Sequence, residues 1–409
     1  MRQIGVIRWL VCVSGTLLAA AGVFAQAPTP AQTPTAAQSE SPRAAPAVGK
    51  FITVDGGKLW YEECGAANPG TSVVLLHDGL VDSITWDGVW EPLCTKYHLV
   101  RYDRRGYGRS DPAKTPFVPE DDLYKIMREV HMDRAIIMGN SSGGGLALDF
   151  ALAHPDMVEA LFLIGPTVHG MASSDYFNER ATKNSAPMDR GDVKAAAKNW
   201  SEDRFIFGGE APSARKQLFD ALVQNPQVLK AGGALEIRPS PPTAMRLTQI
   251  RVPTLVLVGE DDIADVFAFS GAIEAALPIV TFEVWKDTGH LIQIQRPAEV
   301  VARFNRFVSQ TTRKEFPLTD LQLAVYAGLY SVFNRTGTVT VQDHHLVLEF
   351  PGDPYYWLFP SSETKFFLRT DDGDIEFMKD AGGKVVEMAL HYSDGSVIHC
   401  ARIDAAAPH

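Results

Sequence analysis

Residues 135–151 of the sequence read AIIMGNSSGGGLALDFA. The apolar run before Gly139 predicts a buried strand, and the Leu- and Ala-rich run after Gly145 predicts a helix. Between them, Ser141 has a glycine two positions before it and another two positions after it. Glycines at these positions leave room for a strained turn that holds a serine hydroxyl exposed between a strand and a helix. Ser141 is therefore the candidate nucleophile.

A serine hydroxyl is a weak nucleophile at neutral pH and needs an imidazole as general base and a carboxylate to orient that imidazole. Two further predicted strands supply both groups, because residues 254–258 lead to Asp261 and Asp262 and residues 281–285 lead to His290. We assign the orienting role to Asp262, which lies later in the tight turn and is better placed to point back across the sheet edge. Asp261 is the alternative and is otherwise a solvated loop acid.

The negative oxygen that forms when a serine attacks a carbonyl group must be met by backbone amides. One expected donor is the amide of Ser142, directly after the candidate nucleophile. The other is expected in the loop after the predicted strand at residues 72–76, with Gly79 as first choice and Leu80 as second. His77, which begins that loop, is expected to support it by hydrogen bonding.

Apolar runs alternate with polar, helix-compatible stretches through much of the chain. Uninterrupted apolar runs fit strands buried on both faces, and the stretches between them fit crossover helices. We therefore predict an α/β fold with a mostly parallel sheet, whose strand C-terminal ends lie along one edge, where ligands bind. The predicted strands are residues 72–76, 98–102, 134–138, 160–164, 254–258 and 281–285, preceded by a hairpin of residues 51–54 and 58–62.

Five motifs together resemble the α/β-hydrolase superfamily over about residues 50–310. They read LLHDG at 75–79, YDRRGYGRSD at 102–111, GNSSGG at 139–144, GEDD at 259–262 and TGH at 288–290. The resemblance implies an eight-stranded, mostly parallel sheet, a Ser-Asp-His triad and a cap after the sixth strand. Two positions depart from the usual pattern of the family: Asp78 replaces a common glycine, and Asn140 replaces a common histidine.

The second of these motifs carries Arg104, Arg105 and Arg109. The resemblance places them in a loop after a strand, where they and Asp103 are expected to brace neighbouring loops, with a functional basic patch as the alternative. Five aromatic residues are candidates for the pocket walls, and burial in the core explains each equally well: Trp86, Trp90, Trp200, Phe205 and Phe207.

Two regions break the rhythm of strands and helices. Residues 166–250 are polar, mainly helical and far longer than a usual crossover, so we predict a lid and call this region the lid segment. Residues 318–409 hold short alternating stretches between turn signals, which predict a small antiparallel sheet or barrel. With YAGLY at 326–330 and LFPSSET at 358–364, this part resembles the small lipocalin-like β domain appended to some exported serine β-lactamase-like proteins and hydrolases. Its aromatic residues are expected to pack in the core, with ligand binding as the alternative: Tyr355, Tyr356, Trp357, Phe366 and Phe367.

The N-terminus carries the features of an export signal. Residues 1–25 show arginines, then an apolar run, then a small-residue end, which is the order of a secretory signal peptide. The run is short for a permanent anchor, so we expect cleavage, a secreted or periplasmic protein and no stable membrane insertion. Residues 26–48 are almost wholly Ala, Pro, Thr, Gln and Ser and predict a disordered linker to the hydrolase domain at 49–310.

Three cysteines follow the predicted signal peptide, namely Cys64, Cys94 and Cys400. An odd number does not define a disulfide framework, and a protein of this size does not need one to fold. We therefore expect three free thiols, with a bridge between Cys64 and Cys94 as the alternative.

The net charge of -11 disfavours nucleic acid as a partner, because phosphates are bound by clustered Lys and Arg. The motifs predict a serine hydrolase that cleaves an ester, thioester or lactone of a small molecule through an acyl-enzyme on Ser141, without metal or organic cofactor. Three alternatives remain: a carbon-carbon bond hydrolase or a cofactor-free haloperoxidase-like enzyme with the same triad, and a non-catalytic binding protein. The oligomeric state is left open.

Overall fold

The structure is a computed structural model that describes residues 49–230, 233–332, 335–353, 355–392 and 394–403. The predicted signal peptide and the predicted linker lie outside the described residues. Of the helices that the structure describes, none combines the length and the apolar character needed to cross a membrane.

An eight-stranded sheet forms the centre of the first domain, with strand order β1-β2-β4-β3-β5-β6-β7-β8. Strands β3 to β8 pair in parallel, whereas β2 is antiparallel to both of its neighbours. The mostly parallel sheet predicted from the apolar runs is thereby confirmed. The strands are β1 (Lys50–Val54), β2 (Gly57–Cys64), β3 (Ser72–Leu76), β4 (His98–Tyr102), β5 (Ala135–Asn140), β6 (Val158–Ile164), β7 (Thr254–Gly259) and β8 (Val280–Trp285).

Helices cover both faces of this sheet because successive side chains of each strand point to opposite sides. In β3, Val74 and Leu76 join one apolar core while Val73 and Leu75 join the other. The first core is completed by α2 (Pro119–Glu129), α3 (Ser142–Ala153) and α7 (Ala264–Ala276), and the second by α1 (Asp87–Cys94), α8 (Ile292–Gln295) and α9 (Pro297–Thr311).

The lid segment is helical, as predicted. It contains α4 (Asp175–Ser185), α5 (Val193–Ser201) and α6 (Pro212–Gln224), together with short 3-10 turns. Its apolar side chains, including Phe207 and Leu218, form a cluster with Leu291 from the segment that follows His290. The lid segment therefore packs on the part of the chain that carries the candidate base.

A network of polar side chains also fastens the lid segment to α3. The carboxylate of Asp149 on α3 accepts hydrogen bonds from the hydroxyl of Thr243 and from the ring of His169. The second ring nitrogen of His169 in turn contacts the guanidinium of Arg238. Residues at both ends of the lid segment are thus tied to a single buried carboxylate.

The second domain is a closed antiparallel barrel of eight strands in the order β10-β11-β12-β13-β14-β15-β16-β9. The prediction of a small antiparallel β domain is confirmed. Its strands are β9 (Gly328–Val332), β10 (Arg335–Gln342), β11 (His345–Glu349), β12 (Tyr356–Pro360), β13 (Lys365–Phe367), β14 (Asp374–Lys379), β15 (Val385–His391) and β16 (Val397–Ile403), with the short helix α10 (Asp320–Ala324) before them. Strand β9 was not predicted, and its pairing with β16 closes the barrel.

Aromatic side chains fill the barrel. Phe366 lies in the barrel core, and Phe367, on the opposite face of β13, is also fully buried, both as predicted, whereas Tyr355 precedes β12 and is 51% exposed. The expectation of core packing is therefore wrong for Tyr355, because the position lies before the strand and outside its alternation. Tyr326 and Tyr330 also lie in the core of the barrel.

The disulfide pattern differs from the expectation of three free thiols. Cys64 at the end of β2 is bonded to Cys94 at the end of α1, with Cα atoms 5.6 Å apart, whereas Cys400 is free and buried in the barrel. The amide of Asn68 donates to the carbonyl groups of Cys94 and Tyr97 and so holds the chain after β2 against the end of α1. This contact brings two distant cysteines within bonding range.

Candidate active site

Ser141 lies at the junction of β5 and α3 in the strained turn that the glycine spacing predicts. Its φ of 54° is positive, which is unusual for any residue other than glycine. The Ser141 amide donates to the carbonyl of Ile164 at 2.9 Å, which holds the turn against the end of β6. Strain that the surroundings maintain in this way is typical of functional positions.

The glycines on both sides of Ser141 are required by close packing. A Cβ atom on Gly143 would lie 2.3 Å from the carbonyl oxygen of Leu76, and one on Gly139 would lie 2.6 Å from the carbonyl oxygen of Gly143. Helix α3 therefore begins in direct contact with the end of β3, and this brings Ser142 beside the loop that starts at His77.

His290 and Asp262 form a hydrogen-bonded pair. Nδ1 of His290 lies 2.7 Å from Oδ2 of Asp262, whose other oxygen accepts the amide of Ile263. Asp262 is buried, whereas Asp261 is exposed. The structure thus places Asp262, rather than Asp261, on the imidazole.

The charge state of His290 is set by two opposing effects. Burial lowers the pKa of His290, but the charge of Asp262 and the hydrogen bond to it outweigh burial, so the pKa is raised above its ordinary value. This is the behaviour expected of an imidazole that a carboxylate orients and stabilises in its protonated form.

The same end of β6 brings the His290–Asp262 pair and Ser141 together. Gly165 follows Ile164, and a Cβ atom there would lie 3.0 Å from Nδ1 of His290 and 3.2 Å from Oδ2 of Asp262. Among the described residues, Ser141 Oγ makes no hydrogen bond with His290. Such contacts are often long without substrate and shorten only when substrate binds.

In the loop after β3, the amides of Gly79 and Leu80 have different environments. Oδ1 of Asp78 accepts the amide of Leu80 at 2.6 Å and that of Val81 at 2.8 Å, so both amides are occupied. Gly79 is exposed and lies against Ser142, since a Cβ atom on it would come within 3.3 Å of the Ser142 hydroxyl oxygen. Gly79 and Ser142, the two predicted oxyanion donors, are therefore neighbours.

His77 supports this loop through both ring nitrogens, as predicted. Nε2 accepts the backbone amide of Arg104 at 2.9 Å, so Nδ1 carries the proton and donates to the carbonyl of Asp78 at 2.7 Å. Burial and the charge of Arg104 lower the pKa of His77 well below its ordinary value, which keeps this neutral arrangement in place.

The arginines of residues 103–111 act as braces. Arg105 makes two hydrogen bonds to the carboxylate of Asp122 on α2, and Arg109 pairs with Asp103 while stacking over Trp60. Arg104 differs from both, because its guanidinium reaches the loop of Asp78 and the first residue of α3.

A buried amide network near Ser141 was not foreseen from the sequence. The side chain of Asn140 donates to the carbonyl groups of Ile164 and His290 and accepts from Gln293 on α8, which also donates to Thr85. The replacement of the common histidine by Asn140 was the available signal, but the partners are distant in sequence. Asn140 links the strand before Ser141 to the backbone of His290.

The aromatic residues predicted as pocket walls separate into two groups. Trp86 and Trp90 belong to the core between the sheet and helices α1, α8 and α9, and Trp200 packs in the apolar cluster that the lid segment forms with Leu291. Phe205 and Phe207 line a cavity of about 350 Å³ that also borders Asp262. A second cavity of about 400 Å³ lies between α6 and residues 81–87.

Comparison with known proteins identifies similar hydrolases. A putative carbamate hydrolase RutD of Caulobacter sp. (strain K31) is 28% identical over 278 residues, which cover 63% of this chain and 97% of that protein. The pimeloyl-[acyl-carrier protein] methyl ester esterase of Nitrosospira multiformis is 27% identical, over 61% of this chain and 97% of that protein.

Solved structures show the same fold. The enol-lactonase from Burkholderia xenovorans LB400 superposes with a TM-score of 0.54 at 22% identity, covering 64% of this chain and all of that one. The esterase EaEST from Exiguobacterium antarcticum gives a TM-score of 0.55 at 22% identity, with the same coverage. The model of the family described as "Alpha/beta hydrolase family" matches residues 73–303, more than half of the chain. The chain therefore belongs to the alpha/beta hydrolase family and is a hydrolase.

Proposed function

We propose that this hydrolase cleaves an ester, thioester or lactone of a small molecule through an acyl-enzyme on Ser141. The observation that carries the proposal is the 2.7 Å pair of His290 and Asp262, held at the end of β6 beside the strained Ser141 turn. The esterases and the lactonase among the similar proteins support this class of substrate.

In the first half of the proposed reaction, Ser141 Oγ attacks the substrate carbonyl carbon while Nε2 of His290 takes the hydroxyl proton. Asp262 holds the Nδ1 proton and stabilises the imidazolium that forms. The negative oxygen is met by the amides of Gly79 and Ser142. As the bond to the leaving group breaks, His290 gives the proton to the departing atom, which is the oxygen of an alcohol or the sulfur of a thiol.

In the second half, water attacks the acyl carbon and gives its proton to His290. The carbon-oxygen bond to Ser141 then breaks, Ser141 Oγ regains a proton from the imidazolium, and the carboxylic acid product leaves. For a lactone the alcohol stays attached to the acyl chain, and the same two steps yield a hydroxy acid.

The proposal is tested with Ser141→Ala and a panel of p-nitrophenyl esters of increasing chain length. We expect the wild-type protein to hydrolyse these esters. In the variant kcat is expected to fall by at least about 10³-fold, because the nucleophile is removed. Labelling with a fluorophosphonate, followed by peptide mass spectrometry, is expected to modify Ser141. Undiminished turnover by Ser141→Ala would refute the assignment.

We also propose that the protein is exported. The disulfide between Cys64 and Cys94 supports this location, because disulfides persist in oxidising compartments and are rare in the cytosol. Cell fractionation is the direct test. Recovery of the protein in the cytosolic fraction, with both thiols alkylated by a reagent added at lysis, would overturn this proposal.

A further inference from the structure

Arg104 joins the two segments that carry the oxyanion donors. Its Nη2 atom has two hydrogens and makes two hydrogen bonds, one to the backbone carbonyl of Asp78 at 2.9 Å and one to the hydroxyl oxygen of Ser142 at 2.8 Å. Asp78 immediately precedes Gly79, and Ser142 is itself the other donor. One guanidinium therefore connects both halves of the proposed oxyanion hole.

The bond to the Asp78 carbonyl determines where the Gly79 amide points. The peptide group is planar, and in its trans form the C=O of one residue and the N–H of the next point in opposite directions. The carbonyl of Asp78 is held by Arg104 and also by Nδ1 of His77 at 2.7 Å. With the oxygen held from that side, the Gly79 N–H is directed away from Arg104 and His77.

The side chain of Asp78 removes the competing donors of the same loop. The amides of Leu80 and Val81 both donate to its Oδ1, whereas Gly79 is exposed. The orientation of one peptide plane thus decides whether this loop offers an amide to the reacting carbonyl group.

We infer that Arg104 is a positioning residue, which aligns the Gly79 amide with the Ser142 amide by bridging the Asp78 carbonyl and the Ser142 hydroxyl. This inference rests on the proposed function. It assigns to Arg104 a role that Arg105 and Arg109 of the same loop do not share, since their side chains bond carboxylates away from the Ser141 turn.

The chemistry of the side chain fits this role. The guanidinium is planar and offers several N–H groups in fixed directions, and it stacks over the ring of Tyr107 with its central carbon 5.0 Å from the ring centroid. Tyr107 in turn packs edge-on against His77. A lysine side chain is one atom shorter and lacks this stacking geometry, so its Nζ is expected to fall short of the position of Nη2 and to lose or weaken both hydrogen bonds.

The first test compares Arg104→Gln and Arg104→Lys with Arg109→Gln on a p-nitrophenyl ester. We expect kcat to fall by about 10- to 100-fold in both Arg104 variants with KM within about twofold, because donors aimed at the oxyanion act mainly in the transition state. Arg109→Gln, whose side chain is 46% exposed, is the control and is expected to keep wild-type kcat. A cooperative thermal unfolding transition is the control that each variant is folded.

The second test separates this inference from the proposed function. The rate of fluorophosphonate modification of Ser141, followed by mass spectrometry, is expected to fall about tenfold in Arg104→Gln, since phosphonylation also develops charge on an oxygen. If wild-type Ser141 is not modified at all, the proposed function and the inference fail together. If wild-type and Arg104→Gln react equally fast, only the inference fails.

The third test asks whether Arg104 acts through the Ser142 hydroxyl. Ser142→Ala keeps the backbone amide but removes one acceptor of the bridge. If both residues act through the bridge, the loss of kcat in the double variant with Arg104→Gln is smaller than the product of the single losses. Multiplicative losses would overturn the bridging role.

Discussion

Nδ1 of His290 and Oδ2 of Asp262 are 2.7 Å apart, whereas the neighbouring Asp261 is exposed and its amide donates to the carbonyl of Thr288. Two adjacent carboxylates at the end of β7 therefore have different environments. Only the buried one can hold the imidazole in the tautomer that leaves Nε2 free to accept a proton.

This difference predicts that two matched substitutions have very unequal effects on kcat. Asp262→Asn is expected to lower kcat by about 10³- to 10⁴-fold, because an amide both loses the charge and favours the wrong tautomer of His290. Asp261→Asn is expected to stay within about twofold of wild type. Steady-state kinetics on one ester decides between them, and a larger loss in Asp261→Asn would reverse the assignment.

The dependence of activity on pH follows from the raised pKa of His290. A general base must be neutral, so kcat/KM is expected to fall on the acid side with a midpoint above the ordinary value of about 6.5 for histidine. In Asp262→Asn the midpoint is expected to move to lower pH, because the charge that raises the pKa is gone. A midpoint in Asp262→Asn at or above the wild-type value would contradict this explanation.

The same pair has a predictable effect on stability. The folded protein binds the His290 proton more tightly than the unfolded chain does. The contribution of the His290–Asp262 pair to the free energy of unfolding is therefore fully present below the unfolded pKa of His290 and is lost as pH rises through the folded pKa. Urea unfolding is measured at several pH values for wild type and His290→Gln. The difference between their free energies of unfolding is expected to be smaller above the folded pKa of His290 than below its unfolded pKa.

The disulfide is expected to stabilise the first domain by constraining the unfolded chain. It closes a loop with a sequence separation of 30 residues, for which chain entropy gives about 3 to 4 kcal/mol. The double variant Cys64→Ala and Cys94→Ala should lose about this free energy of unfolding and become insensitive to dithiothreitol. If dithiothreitol destabilised the wild type and the double variant equally, the effect of the reductant would not come from the Cys64–Cys94 disulfide.

The barrel is docked on α9 by two arginines that differ in burial. Arg303 is 5% exposed and donates to the carbonyl of Thr370 in the barrel at 3.0 Å, whereas Arg306 is largely exposed and pairs with Asp372 at 3.5 Å. Arg303→Met is expected to cost about 3 kcal/mol, because it removes both the donor of a buried carbonyl and the ion-pair partner of Glu283. Arg306→Met should cost less than about 1 kcal/mol.

Urea unfolding of both variants measures this difference, and tryptophan fluorescence together with circular dichroism shows whether the two domains still unfold in one transition. Similar losses for the two substitutions would mean that the Arg303 contact is as weak as a surface ion pair.

The sequence by itself determined the features that depend on neighbouring residues. The bounds of β3 and β4 follow from short, mostly apolar runs, and the Ser141 turn follows from glycines at positions where a Cβ atom has no room. Hydrophobic periodicity and backbone sterics act within a few residues, so they can be read along the chain. The mostly parallel sheet and the existence of the second β domain follow from the same local patterns.

Only the tertiary structure decided the features that depend on distances between remote segments. The Cys64–Cys94 bond, the closure of the barrel by β9 and the contact of His290 with Asp262 each require two parts of the chain to meet at a defined geometry. The reach of Arg104 to both Asp78 and Ser142 spans 26 and 38 positions of sequence. Hydrogen bonds and disulfides form only within a few ångströms, and packing of the whole domain sets those distances.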